Sequence, residues 1–74
     1  MAVRPPDHTR TSWPDLVGYP DVNAGLIIAY DRPDLRHVEF YDVGLNGPVG
    51  SDLTRAVVFR DPGTRIVVYP PYVG

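Results

Sequence analysis

The chain lacks cysteine and lysine altogether: its 74 residues contain seven arginines as their only basic side chains apart from two histidines, and the formal net charge is −2. Without cysteine the chain forms no disulfide and offers no Cys/His cluster that could hold zinc. Nucleic-acid binding usually requires a basic face, and a mildly acidic chain with few arginines does not supply one. We therefore expect no metal site and no nucleic-acid partner.

Long apolar runs are also missing. No run approaches the roughly 20 residues of a membrane span, so we expect no membrane partner. The start, "MAVRPPDHTR", has no apolar region typical of a secretory signal, which leaves a cytoplasmic chain and a secreted, processed chain both open. A chain this short forms one domain that buries only about 60% of the surface of its unfolded form. Its stability must come from one compact apolar core.

The first residues differ from the rest in composition. Residues 1–11 are polar, contain prolines and have no hydrophobic periodicity, which predicts a flexible tail. Order is expected to begin at "SWPDLVG", so residues 12–74 form the single predicted domain. Trp13 is the only tryptophan, and we expect it to anchor this segment in the core.

One segment has helical periodicity. In "YPDVNAGLIIAYDRP", Ala24, Ile27 and Ile28 fall at positions i, i+3 and i+4, which places them on one face of a helix. Proline at position 20 suits a first turn and proline at position 33 ends the pattern, so the helix is predicted from about residue 20 to 31. Gly25 inside it costs about 1 kcal/mol relative to alanine.

Three segments are predicted as strands. "RHVEFYD" alternates, with Val38 and Phe40 on one side, and "TRAVVFR" follows it as a second strand. The turn sequence "DPGT" then leads to "RIVVY", which is predicted as a third, antiparallel strand. One helix packed on a small mixed β-sheet is the α+β fold that this order favours. In the second strand one face carries Ala56 and Val58, and the other carries Arg55, Val57 and Phe59.

Between the first two strands lies a glycine-rich loop, residues 43–54, within the stretch "VGLNGPVGSDLTR". Loops of this length without secondary structure are uncommon in compact domains and are usually functional or disordered. Two interpretations are open on physical grounds. The loop is either a simple crossover between two parallel strands, or an exposed binding loop.

The order of these features resembles the potato inhibitor I family of serine protease inhibitors. The resemblance rests on "SWPDLVG", a helix followed by proline, a strand leading into "VG", a long loop, "TRAVVF", "DPGT" and a final "YVG". It covers residues 12–74. It implies one helix on a mixed sheet, with a protease-binding loop exposed between two parallel strands. It also implies a reversible, substrate-like inhibitor of chymotrypsin-like or subtilisin-like enzymes, without a cofactor and not itself an enzyme; we expect a monomer.

The resemblance also implies roles for single residues. It makes Val49–Gly50 the reactive-site bond, with Val49 as the primary-specificity residue. Valine is uncharged and of medium size, so it suits a shallow pocket such as that of elastase, or a subtilisin-like site. The expected reactive-site residues are Asn46, Gly47, Pro48, Val49, Gly50, Ser51 and Asp52.

Two polar pairs that support the loop in this family are changed here. Pro48 stands where a threonine is expected, although the matching arginine is present as Arg55. Gly50 stands in place of an acid and Val57 in place of a second arginine, so that pair is deleted at both ends. Arg55 is expected to pair with Asp52 or to reach the terminal carboxylate of Gly74. Val57 offers an apolar patch that Leu45 or Leu53 could cover, and the loop is expected to be less tightly held.

Other functions were weighed against inhibition. His37, Ser51 and Asp52 contain the residue types of a hydrolytic triad, but nothing in the sequence indicates an oxyanion hole. The aromatic and proline residues in "YPPY" near the chain end could form a partner-binding patch, although packing of Tyr69 on the body is the simpler interpretation. The alternative to an inhibitor is a non-inhibitory binding or structural domain that retains the scaffold with a drifted loop.

Overall fold

The computed structural model describes residues 5–74 and consists of one helix packed on a small sheet. In chain order the elements are a 3-10 helix Pro14–Leu16, α1 Asp21–Asp31, β1 His37–Asp42, β2 Arg55–Arg60 and β3 Tyr72–Val73. The sheet is mixed, with the strand order β1-β2-β3, and it confirms the predicted α+β class.

Helix α1 begins one residue after Pro20, whose extended backbone precedes the first turn. It buries Ala24 and Ile28 on the face that the sequence periodicity indicated. Gly25 has a packing reason that the sequence alone does not reveal. A β-carbon added there would lie 2.9 Å from Cζ of Phe40, which is too close for two carbon atoms. The missing side chain therefore lets α1 approach the aromatic ring of β1.

The two longer strands run parallel, in a register that pairs His37 with Arg55 and Asp42 with Arg60. Parallel neighbours need a connection that returns along the full length of the strand. Because α1 precedes β1, no helix is available for this return, and the loop 43–54 makes it instead. The loop is thus both a crossover and an exposed segment, so the two interpretations of it are not exclusive.

The third strand is not where the sequence pattern predicted it. "RIVVY" forms only isolated bridges, between Pro20 and Ile66 and between Arg60 and Val67. Arg65 has a φ of 61°, which interrupts an extended run, and the backbone N–H of Val67 donates to Tyr19 O at 2.9 Å. The strand that pairs antiparallel with β2 is Tyr72–Val73, which follows the predicted segment.

The core lies between α1 and the sheet and includes Trp13, which confirms its expected role as an anchor. The indole Nε1–H donates to Oδ2 of buried Asp31 at 2.8 Å, so a carboxylate at the end of α1 receives a direct partner. The backbone N–H of Trp13 donates to Pro71 O at 2.9 Å. These two bonds join the start of the domain to the helix and to the segment before β3.

The predicted tail, residues 1–11, lies partly outside the described residues. In its described part, the backbone N–H of Asp7 donates to Asp31 Oδ1 at 3.1 Å, and Arg10 pairs with Asp15. Thr11 O accepts from the backbone N–H of Val73 at 2.9 Å. These contacts attach residues 7–11 to the domain, while the boundary at residue 12 stays a prediction. Within residues 5–74, no helix has the length and apolar character needed to cross a membrane.

Replacing Trp13 with phenylalanine tests this anchor. Trp13→Phe keeps a ring in the core but removes the indole donor of buried Asp31 and part of the packed volume. We expect the free energy of unfolding to fall by about 2–3 kcal/mol. Urea denaturation followed by far-ultraviolet circular dichroism measures it, since the variant has no tryptophan fluorescence. Tyr19→Phe, at a half-exposed aromatic residue, is the control and should change stability by less than about 0.5 kcal/mol. Equal stability of Trp13→Phe and the unaltered chain would contradict the assigned role.

Candidate functional site

The loop 43–54 begins with a turn fixed by hydrogen bonds at the end of β1. Val43 N–H donates to Arg60 O at 2.9 Å, and Leu45 N–H donates to Asp42 O at 3.1 Å. The side-chain oxygen Oδ1 of Asn46 accepts from the backbone N–H of Asp42 at 3.0 Å. Asn46, which was expected to be a binding contact, thus uses its side chain to fix the turn that starts the loop.

The other end of the loop is fixed by Asp52. Its Oδ1 accepts from the backbone N–H of Thr54 at 2.9 Å and from the Thr54 hydroxyl at 2.6 Å. These bonds, with smaller contributions from the charges of Arg55 and His37, hold the pKa of Asp52 below its usual value. The backbone N–H of Arg55 donates to Asp52 O at 3.1 Å and completes the turn into β2.

Between these two turns the chain projects Val49 into solvent. Its side chain is 91% exposed, the highest value among the large apolar side chains within residues 5–74. Gly47, Gly50 and Ser51 around it are also exposed, and Pro48 is half-buried. An exposed apolar side chain between two fixed turns is available to a partner and contributes nothing to the core.

Arg55 supports the loop from below. This residue is only 6% exposed, and its Nη2 donates to the carbonyl oxygen of Gly50 at 3.0 Å. Its Nε donates to Gly74 O at 2.9 Å, and its Nη1 lies 3.4 Å from Oε1 of Glu39. Of the two partners expected from the sequence, Gly74 thus contacts the guanidinium, while Asp52 is bonded by the backbone N–H of Arg55.

A second support is aromatic. Phe59 lies beside Tyr41 and Tyr69, with ring centroids 6.0 and 5.9 Å apart. A β-carbon added to Gly47 would lie 3.8 Å from Cζ of Phe59, so the loop passes close to this ring. The alternation of β2 put Phe59 on the same face as Arg55, and that signal could have identified it as a loop support.

The apolar cover expected for Val57 does not come from the two leucines. Val57 is fully buried, but Leu45 is 71% and Leu53 is 74% exposed. Both leucines therefore extend the apolar surface on either side of Val49. In the segment before the chain end, Tyr69 and Tyr72 are exposed.

Gly50 has a backbone conformation that most residues avoid. Its φ is +68°, in the left-handed region, whereas an extended segment has a negative φ. The loop therefore bends directly after Val49, and its backbone is not extended at Gly50. The bend turns the carbonyl oxygen of Gly50 to within hydrogen-bond distance of Arg55.

The residue types of a hydrolytic triad meet only in part. His37 Nε2 lies 3.8 Å from Oδ2 of Asp52 and 3.3 Å from Oε2 of Glu39, so the histidine faces two carboxylates. Hydrolysis would also need a nucleophile beside the histidine, and within residues 5–74 no hydrogen bond joins Ser51 to His37. Within the described part of the chain, no group of His, Cys, Asp or Glu side chains is arranged to hold a metal ion.

Comparison with known proteins identifies the family. The model of the potato inhibitor I family matches residues 5–74, so the chain belongs to this family. The crystal structure of bitter gourd trypsin inhibitor is similar, with a TM-score of 0.79 and 28% sequence identity over 88% of this chain and 93% of that one. No curated protein matches the chain. The family and the similar structure together identify a protease inhibitor and not an enzyme, as the sequence resemblance implied.

Two of the three loop glycines, Gly47 and Gly50, should respond oppositely to alanine. Gly50→Ala puts a β-carbon on a residue with positive φ or forces the loop to give up the Arg55 bond, and we expect the free energy of unfolding to fall by about 1 kcal/mol. Gly47→Ala is the matched control, because its β-carbon reaches ordinary contact distance from Phe59 and the substitution restricts the unfolded chain. We expect it to be neutral or to stabilise by up to about 1 kcal/mol. Urea denaturation of both variants measures the difference, and the reverse order would contradict the described loop.

Proposed function

We propose that the chain inhibits a serine protease reversibly, in the manner of a substrate, through the loop 43–54 with Val49–Gly50 as the reactive-site bond. The observation that carries this proposal is the exposure of Val49 between two hydrogen-bonded turns. Membership of an inhibitor family supports it. In this function Val49 enters the primary-specificity pocket of the enzyme, and Gly47, Pro48, Gly50 and Ser51 contact the cleft on either side.

The supports explain how such a loop could resist release after cleavage. If Val49–Gly50 were cut, Arg55 would still bond the carbonyl oxygen of Gly50 and hold the new amine near its former partner. The turn fixed by Asn46 would hold the other new end. Because the two ends stay close, religation competes with release. A loop that is ordered before binding also loses little conformational entropy when it docks.

The side chain of Val49 limits which class of serine protease the loop can inhibit. Valine carries no charge to pair with the acidic pocket of trypsin and does not fill a deep aromatic pocket. We therefore propose an elastase-like or subtilisin-like target, although the similar bitter gourd protein is a trypsin inhibitor. Leu45 and Leu53 of the same loop are also exposed and add apolar surface that a hydrophobic cleft could cover.

Binding in a fully extended shape would require Gly50 to change its φ from positive to negative. Glycine makes this change at low cost, but the Arg55 bond to the Gly50 carbonyl would have to adjust with it. This reorganisation reduces the affinity available from docking. We accordingly propose moderate inhibition by a monomer, with slow cleavage of the reactive-site bond.

The direct test incubates the protein with elastase, subtilisin, chymotrypsin and trypsin. Residual enzyme activity and the integrity of Val49–Gly50 are followed together, the latter by mass spectrometry. Sustained inhibition of elastase or subtilisin with slow cleavage supports the proposal. Rapid cleavage without inhibition would make the chain a substrate, and indifference to all four enzymes would favour the non-inhibitory binding domain.

Substitutions at Val49 should change which enzyme is inhibited. Val49→Arg should improve trypsin inhibition by roughly 10- to 100-fold, because the guanidinium gains charge-assisted hydrogen bonds in the acidic pocket. Val49→Leu should shift preference from elastase toward chymotrypsin or subtilisin by about tenfold, the effect of one methylene in a pocket. Inhibition constants against the four enzymes measure both changes.

Val22→Leu is the matched control, since Val22 is an exposed valine on α1. It should leave every inhibition constant unchanged. If the Val49 variants kept the same profile as the unaltered chain, Val49 would not be the primary-specificity residue.

A further inference from the structure

Glu39 lies at the centre of the polar groups below the loop, and no role for it follows from the sequence pattern. Its carboxylate lies 3.4 Å from Nη1 of Arg55, and it accepts a hydrogen bond from the hydroxyl of Tyr41. His37 Nε2 lies 3.3 Å from its other oxygen. Three side chains from β1 and β2 thus converge on one carboxylate that is half-buried.

His37 extends this cluster to the loop itself. Its Nε2 is 3.3 Å from Glu39 on the strand and 3.8 Å from Asp52 on the loop. The hydrogen bonds from Thr54 lower the pKa of Asp52, so Asp52 carries a negative charge at neutral pH. The imidazole therefore lies between one carboxylate of the sheet and one carboxylate of the loop.

Two further groups contact the same carboxylate. Tyr41 from β1 and Arg55 from β2 face Glu39, while Asp52 from the loop faces His37. The bond to Glu39 raises the pKa of Tyr41, so the phenol stays neutral and protonated. Glu39 thus contacts both Arg55 and His37, two side chains that reach the loop.

We infer that Glu39 is a positioning residue for the reactive loop: it holds Arg55 against the Gly50 carbonyl, and His37 bridges the same carboxylate to Asp52 of the loop. This inference rests on the proposed inhibitory function for its meaning, but the ordering of the loop can be measured without a protease. The carboxylate comes from the strand below, because Gly50 has no side chain to supply one at its position in the loop.

The variants for the test are Glu39→Gln and His37→Gln. Asp15→Asn is the control for the first, since it makes the same charge change on the 3-10 helix, where Asp15 pairs with Arg10. His8→Gln is the control for the second, since His8 is the other histidine and lies outside the loop cluster. Circular dichroism checks that all four variants keep the fold.

The measurements are backbone ¹⁵N order parameters of Gly50 and Ser51, and the rate at which a protease cuts Val49–Gly50. Glu39→Gln should lower the order parameters and speed cleavage by about fivefold, the effect of one partly exposed charged pair. His37→Gln should lower the order parameter of Ser51, which precedes Asp52, and His8→Gln should leave it unchanged.

The outcomes separate this inference from the proposed function. If no protease is inhibited but Glu39→Gln and His37→Gln still loosen the loop, the inhibitory function fails and the positioning role stands. If both variants match the unaltered chain in loop order and in cleavage rate, the positioning role is overturned, whatever the inhibition assay shows.

Discussion

The loop depends on a single guanidinium. Arg55 uses its Nε, Nη1 and Nη2 groups on Gly74, Glu39 and the Gly50 carbonyl, so one nearly buried side chain joins the loop, β1 and the segment after β3. Arg55 is the first residue of β2, and the sheet register places it opposite His37. A buried charge is favourable only when it is fully paired, so these contacts stabilise Arg55 as much as Arg55 stabilises the loop.

The rest of the fold supplies a rigid base for that contact. Parallel pairing of β1 and β2 forces the connecting chain to cross the edge of the domain as an open loop. Close packing of α1 on Phe40 at Gly25, and the bond between Trp13 and Asp31, fix the helix against the sheet. A small domain buries a smaller fraction of its surface than a large one, so each of these contacts contributes a larger share of its stability.

Local patterns in the sequence predicted much of this fold. The helix, both parallel strands and the exposed loop follow from hydrophobic period, proline placement and glycine content, and the structure agrees with them within a residue or so. "RIVVY" failed as a strand because Val67 bonds to Tyr19, a partner distant in sequence that no local pattern reveals. The helical period also does not explain Gly25, because the ring that its missing side chain accommodates is Phe40 on β1.

The candidate site was harder to predict than the fold, for a related reason. Val49 and Arg55 came from resemblance to a family, whereas Glu39 and Phe59 support the loop through the register of two strands and the path of the chain above them. A strand pattern tells which face a side chain shares, but not which loop atom lies over it. The positive φ of Gly50 likewise accompanies the Arg55 contact, and glycine content alone does not reveal it.

The most direct test of the account removes the guanidinium and keeps its aliphatic stem. Arg55→Met is incubated with the most strongly inhibited protease of the panel. Its Val49–Gly50 bond should be cleaved at least about tenfold faster than that of the unaltered chain, while its circular dichroism spectrum stays the same. Arg65→Met, at an exposed arginine, should be cut at the original rate. If Arg55→Met folds and its reactive-site bond survives as long as before, the claim that Arg55 holds the loop is wrong.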